Sequence, residues 1–102
     1  MNIGTGQTVY EQILSLDVDG NSVTGATFDT TMYKNGVSYT GVTIGMSLSD
    51  TARGVFTASW SAATIGDYQL YAKNNTTSVV FIADNVAIKP SSELSTNVYI
   101  GI

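Results

Sequence analysis

The chain has 102 residues, the length of one ordinary domain, and it contains neither cysteine nor histidine. Disulfides, and zinc sites built from thiolates or imidazoles, are therefore excluded, and packing must stabilise the fold. Charged residues make up 12% of the sequence, about half the usual share, while hydrophobic residues make up 43%. Since few surface charges oppose association, the composition suits a protein that works inside an assembly.

The charge pattern and the hydropathy pattern exclude two classes of partner. The net charge is −4, and the four basic residues are scattered, whereas nucleic-acid binding requires a basic patch or stripe. The longest apolar runs, such as VVFI at 79–82, are far shorter than the roughly 20 residues that span a bilayer. The polar stretch after Met1 is not a secretory signal, so we expect a small cytoplasmic product or a module of a larger protein.

Apolar and polar residues alternate with a period of two through most of the chain, and this alternation predicts β-strands. Asn35-Gly36 separates two such runs and is a strong signal for a two-residue hairpin turn. No stretch has the spacing and the caps of a helix. The predicted strands cover residues 8–18, 26–34, 37–40, 42–49, 55–60, 67–73 and 79–89, the last as one long or two short strands.

Many short strands separated by regular turn signals are typical of an antiparallel sandwich or barrel. We predict an all-β, antiparallel immunoglobulin-like β-sandwich of about seven strands, with a small β-barrel as the alternative. The sandwich occupies residues 8–90. Residues 1–7 form an N-terminal arm, and residues 91–102 form a C-terminal arm or an added strand.

Trp60, Gly66 and Tyr68 are the candidate core and corner residues. In immunoglobulin-like sandwiches, a tyrosine near the start of the penultimate strand hydrogen-bonds back across a corner. Thr64, Gly66 and Tyr68 have the spacing of that pattern. We therefore assign Trp60 and Tyr68 to the fold rather than to ligand stacking.

Three stretches carry a family resemblance: GVFTASW at 54–60, GDYQLY at 66–71 and TMYKNGVSYTG at 31–41. They resemble the immunoglobulin-like β-sandwich modules of bacteriophage virion proteins, which include capsid decoration proteins and tail or baseplate attachments. The resemblance covers about residues 8–89. It implies a structural role in the virion. The cysteines of antibody-like members are missing, so antibody-style recognition loops are not implied.

One turn and four acids are the candidates for chemistry. Residues 17–21, DVDGN, could offer oxygens to a hard cation, but Ser22 and Phe28 stand where an EF-hand needs glycine and glutamate, and a tight turn explains the pattern. No histidine base, Gly-x-Ser-x-Gly elbow or phosphate loop is present. The acids available for a two-carboxylate mechanism fit solvated positions: Glu11, Asp29, Asp67 and Asp84. We predict no enzyme, metal or cofactor.

The two ends of the chain supply the candidate interface residues, which are Ile3, Val98, Tyr99, Ile100 and Ile102. An apolar, β-prone tip beyond a serine-rich spacer is costly to leave in water. It either folds back as an eighth strand or adds to the sheet edge of a neighbour. The second option predicts a homo-oligomer, for which a trimer is one closed form.

The sequence thus predicts a non-enzymatic structural protein of a phage virion, made in the host cytoplasm, that decorates or cements the capsid by bridging shell subunits. Its expected partners are the major capsid protein or other virion proteins, with no nucleic acid and no membrane. One alternative is a tail or fibre attachment protein. The other is an adhesive or carbohydrate-binding module whose exposed tyrosines, such as Tyr33, Tyr39 and Tyr71, stack on ligands.

Overall fold

The computed structural model describes residues 2–90, and for Asn2 it describes the backbone alone. Within this range the chain forms nine β-strands and no helix. The strands are β1 (Asn2–Gly4), β2 (Thr8–Leu14), β3 (Phe28–Lys34), β4 (Val37–Tyr39), β5 (Gly45–Asp50), β6 (Val55–Ser61), β7 (Gly66–Asn74), β8 (Val80–Ile82) and β9 (Val86–Lys89). The predicted all-β class is confirmed.

The strands form two sheets. The larger sheet has the order β1-β9-β7-β3-β4, and β8 pairs with β7 beside β9. The smaller sheet has the order β2-β6-β5. All of these pairs are antiparallel except β1 with β9, which is parallel.

The core lies between the two sheets, as in a β-sandwich. The smaller sheet contributes Val9, Ile13, Ala58 and Trp60, and the larger sheet contributes Met32, Tyr68, Leu70, Ala72, Val86 and Ile88. These residues follow the period of two along each strand, so one face of each sheet is apolar and buried. The burial of this face supplies the main favourable free energy of folding.

The Asn35-Gly36 hairpin is confirmed. Lys34 and Val37 are cross-strand partners, so the loop between β3 and β4 has two residues. Asn35 and Gly36 have φ values of 51° and 82°, the positive values that a type I′ turn requires.

Several predicted boundaries differ from those observed. The first strand ends at Leu14 instead of residue 18, because the Ser15 carbonyl accepts the amide of Val23 and the chain then turns at residues 17–21. Residues 79–89 form two strands. Between them the amide of Ala83 donates to the Leu70 carbonyl, and Gln69 donates its side-chain amide to the Ala83 carbonyl.

The N-terminal segment also differs from the prediction. Residues 2–4 are not an arm but a strand, with Ile3 opposite Ile88 of β9. The side chain of Ile3 is half-buried and packs against the core. A three-residue strand is too short to show a periodicity, which is why the sequence did not reveal it.

Candidate functional site

Trp60 and Tyr68 lie inside the fold. Tyr68 is wholly buried, and its ring centroid lies 5.5 Å from that of Trp60. The Tyr68 hydroxyl donates to the Thr64 carbonyl at 3.0 Å and lies 2.8 Å from Thr64 Oγ1. The indole N–H of Trp60 is buried without a hydrogen-bond partner among residues 2–90. Neither ring is available for stacking on a ligand.

Gly66 lies in the corner formed by residues 64–68, at the point where this segment approaches β3. A Cβ atom at Gly66 would lie 3.0 Å from Cε of Lys34, and the φ of Gly66 is 153°. The Lys34 ammonium in turn donates to Thr64 Oγ1 at 2.9 Å. The glycine thus allows the corner and the lysine to pack closely.

Exposed apolar side chains concentrate on the strands and loops at one flank of the sandwich. Of nine large apolar residues exposed within residues 3–90, three lie on β2 or in the loop after it, and three lie on β8 or at the residue before it. We call these six residues the open side: Tyr10, Leu14, Val18, Val79, Val80 and Ile82. The sequence signalled this surface, because the even positions from 10 to 18 are more apolar than the odd positions from 9 to 17. Both sets contain apolar residues, so alternation alone did not assign a face to the core.

Two concave regions connect the parts of the open side. Tyr10 and Ile82 line a groove of about 270 Å³ between β2 and residues 81–86. Val18 and Val79 line a largely apolar pocket of about 330 Å³ at one end of the sandwich, together with Leu16 and Val23. Edges of both sheets therefore meet along the open side, on the flank opposite β4 and β5.

Glu11 and Asp84 both line the groove, and these are the two predicted acids that the fold brings together. Burial raises the pKa of Glu11, and the negative charge of Asp84 raises it further. Within residues 2–90, no group of three metal-ligating side chains occurs. Burial and the nearby charge of Asp84 therefore both favour the neutral form of the Glu11 carboxyl over the ionised form.

The other two acids lie elsewhere in the fold. Asp29 lies opposite Lys73 in the ladder between β3 and β7. Asp67 Oδ1 lies 3.4 Å from the side-chain amide of Asn85. Neither takes part in the groove, so the four acids do not form one catalytic cluster.

The DVDGN segment is a turn, as predicted. The carboxylate of Asp17 accepts the backbone amides of Asp19 and Asn21, each at 2.9 Å. The hydrogen bond from Asn21 is the main reason that the pKa of Asp17 is lowered. These bonds use the Asp17 carboxylate to close the turn.

Tyr33 and Tyr71 meet on the outer face of the larger sheet, with ring centroids 6.5 Å apart and an edge-to-face angle of 81°. Both rings are half-buried, and Ile82 lies opposite Tyr71 in the ladder. Tyr39 is not on this face. Its ring packs against Tyr68 in the core, with the Lys34 ammonium 4.8 Å above it.

The predicted interface residues are divided between the core and the undescribed part of the chain. Ile3 is half-buried and packs against its own core, and its assignment to an interface stays a prediction. Val98, Tyr99, Ile100 and Ile102 lie outside the described residues.

Along β2, the backbone amides and carbonyls of successive residues point alternately towards β6 and away from it. The amide of Ser15 donates to the Gly54 carbonyl at 2.7 Å, which makes the neighbouring pair Leu14 and Val55 a non-hydrogen-bonded one. The odd residues of β2 therefore bond to β6. The even residues direct their amides and carbonyls away from β6, where no strand within residues 2–90 pairs with them.

The chain matches no protein-family model, no curated protein and no solved structure. Within the described residues, none of the secondary-structure elements is a helix able to cross a bilayer. Its chemistry must therefore be inferred from its own surfaces.

Proposed function

We propose that the chain is a non-enzymatic structural protein of a phage virion that decorates or cements the capsid by bridging shell subunits. The observation that carries this proposal is the open side. Six large apolar side chains exposed along two neighbouring edge strands form the kind of surface that proteins cover in contacts with other proteins. The assignment to a virion is supported by the sequence resemblance of residues 8–89.

The proposed mechanism is burial at sites that exist only in the assembled shell. Burying each exposed side chain contributes roughly 1–2 kcal/mol, and little surface charge has to be desolvated. A ligand that binds only the assembled state stabilises that state by mass action. The packed core keeps the two sheets rigid, so that one domain can hold two shell subunits in a fixed geometry.

We further infer that the sandwich is immunoglobulin-like. The orders β2-β6-β5 and β9-β7-β3 correspond to strands B-E-D and G-F-C of that fold, and β4 corresponds to the added strand C′. The Tyr68 hydrogen bond to Thr64 supports the same inference, since it is the bond of a tyrosine corner. Strand A, which covers B in that fold, has no counterpart in the smaller sheet among residues 2–90.

A shell-binding experiment tests the proposed function. Labelled protein is incubated with purified empty shells, and separately with the isolated major capsid subunit, of the phage whose genome encodes the chain. We expect binding to the shells and at least about tenfold weaker binding to the free subunit. Equal binding to shells and subunits, or binding to neither, would contradict the proposal.

Two matched variants test whether the open side is the surface that binds the shell. Ile82 and Ile65 are exposed to 59% and 58%, but Ile82 belongs to the open side and Ile65 to the loop between β6 and β7. We expect Ile82→Lys to abolish shell binding and Ile65→Lys to preserve it. If both substitutions had the same effect, the open side would not be the binding surface.

The paired tyrosines support a second candidate, a carbohydrate-binding module. Tyr33 and Tyr71 present aromatic edges and faces beside Thr31 and Gln69, which provides both stacking surface and hydrogen-bonding groups. A glycan array, run with and without calcium, tests this function. Binding that is lost in Tyr33→Ala and kept in Tyr10→Ala would establish it, while an array without hits would exclude it for the glycans displayed.

A further inference from the structure

We propose that β2 pairs with β2 of a second copy of the chain, antiparallel, about a two-fold axis that passes through Gln12. This inference goes beyond the proposed function and does not depend on it, because it concerns an association between copies rather than binding to a shell. It follows from the free edge, the direction of its backbone groups and the residues that it carries.

Within residues 2–90, β2 is the longest and most regular edge strand, although it carries one inward-pointing charge, Glu11. Exposed sheet edges are commonly blunted by short length, by bulges, by proline, by lysine or by inward-pointing charges. Among the edge strands within residues 2–90, β1, β4 and β8 have three residues each, and β5 has an irregularity between Leu48 and Asp50. β2 has seven residues in continuous register with β6, and it contains neither proline nor lysine.

The free edge of β2 has the backbone pattern that an antiparallel partner needs. Tyr10, Gln12 and Leu14 direct their amides and carbonyls away from β6. If Gln12 faces Gln12 of the second copy, then each Tyr10 faces the other copy's Leu14, and all of these pairs are hydrogen-bonded ones. About six backbone hydrogen bonds would form across the axis.

The side chains favour this register over those centred on Glu11 and on Tyr10. Tyr10 and Leu14 are exposed to 69% and 61%, and the Gln12 register covers each with the other, as cross-strand pairs of an aromatic and an aliphatic residue. Centring on Glu11 would place two carboxylates opposite each other, which is destabilising. Centring on Tyr10 would leave Leu14 without a partner.

The partner surface is self-complementary, as a two-fold interface must be. In the Gln12 register each Glu11 faces Ile13 of the other copy, so the two Glu11 carboxyls are separated along the strand. The Gln12 side chains carry both donors and acceptors and can bond to each other at the axis. The two small sheets would join into one continuous six-stranded sheet.

Sedimentation velocity of the full chain over a range of concentrations tests this proposal. We expect a reversible dimer. Gln12→Lys and Gln12→Glu each place like charges face to face at the axis, and each should weaken the dimer more than about tenfold. Mixing these two variants should restore a heterodimer, because the charges at the axis are then opposite.

Ser61 offers the matched control. It is exposed on β6, opposite Thr8, and it shares the outer face with Gln12 but does not lie on the free edge. Ser61→Lys should leave the dimer intact, and thermal unfolding should show that all variants are folded. A dimer that persists in Gln12→Lys, or a mixture that does not re-form one, would overturn the proposal. A full chain that stays monomeric would also overturn it.

Discussion

At the scale of single residues, Tyr68 joins the core to a corner of the chain. Its ring is wholly buried against Trp60, while its hydroxyl reaches the carbonyl of Thr64 four residues earlier. The ring and the hydroxyl have separate roles, because the ring fills the core and the hydroxyl fixes the turn before β7. The spacing of Thr64, Gly66 and Tyr68 made this arrangement predictable from the sequence.

Replacing Tyr68 with phenylalanine tests the role of the hydroxyl. The ring stays in place, while the hydrogen bonds with the carbonyl and the hydroxyl of Thr64 are lost, so we expect the free energy of unfolding to fall by about 1–2 kcal/mol. Urea denaturation measures this change, and Tyr10→Phe serves as the control because Tyr10 is exposed. Equal stabilities for Tyr68→Phe and the unmodified protein would show that the corner bond does not hold the turn.

Glu11 makes the stability of the fold depend on pH. Burial, followed by the charge of Asp84, raises its pKa in the folded protein above the ordinary value of 4.5. The folded state therefore binds this proton more tightly than the unfolded state. Its contribution to stability is fully present below pH 4.5 and is lost as the pH rises through the folded-state pKa.

Glu11→Gln should remove the loss of stability that the unmodified protein undergoes as the pH rises. We expect the variant to be more stable than the unmodified protein at pH 7, and to gain less or nothing at pH 4. Asp84→Asn should act in the same direction with a smaller effect, because burial is the larger cause of the shift. Urea denaturation at several pH values measures both variants, and a Glu11→Gln protein with an unchanged pH profile would refute this account of the groove.

At the scale of elements, Asn74 ties the end of β7 to the chain after β2. Its side-chain amide donates to the hydroxyl of Ser15 at 2.9 Å, and its oxygen accepts the amides of Thr76 and Thr77. The Ser15 hydroxyl in turn donates to the Val23 carbonyl at 2.7 Å. Asn74 and Ser15 are both buried, so the network connects the two sheets at one end of the sandwich.

Asn74→Ala should therefore be more damaging than the loss of a single bond. It leaves the amides of Thr76 and Thr77 without their acceptor and removes the donor to the Ser15 hydroxyl, and we expect a loss of about 2–3 kcal/mol in the free energy of unfolding. Asn75→Ala, at an exposed neighbouring position, should change it by less than about 0.5 kcal/mol. Similar effects of the two substitutions in urea denaturation would contradict the proposed role of the network.

The elements differ in how far the sequence predicted them. Asn35-Gly36 was decisive because few other residues accept positive φ at two successive positions. The buried face of β2 was not decided, because Tyr10 and Leu14 alternate with Val9 and Ile13 and both sets are apolar. The groove that unites Glu11 with Asp84 could not be foreseen, since it depends on how edges of the two sheets approach each other.

At the scale of the whole molecule, a well-packed interior is combined with an unprotected flank. The open side and the free edge of β2 lie together, and we expect both to be covered when the protein works. Pairing through β2 gives a closed assembly of two copies. The homo-oligomer predicted from the C-terminal tip, for which a trimer is one closed form, stays a prediction. A dimer formed through β2 would leave the paired tyrosines on the opposite sheet uncovered.

Amide hydrogen exchange, resolved by residue in NMR spectra at low and high protein concentration, shows whether β2 is a free edge that a second copy covers. At low concentration the amides of Val9, Glu11 and Ile13 should be protected by β6, while those of Tyr10, Gln12 and Leu14 should exchange rapidly. At high concentration the second set should become protected as well. If Tyr10, Gln12 and Leu14 exchanged slowly at every concentration, or rapidly at every concentration, β2 would not be an edge that another copy covers.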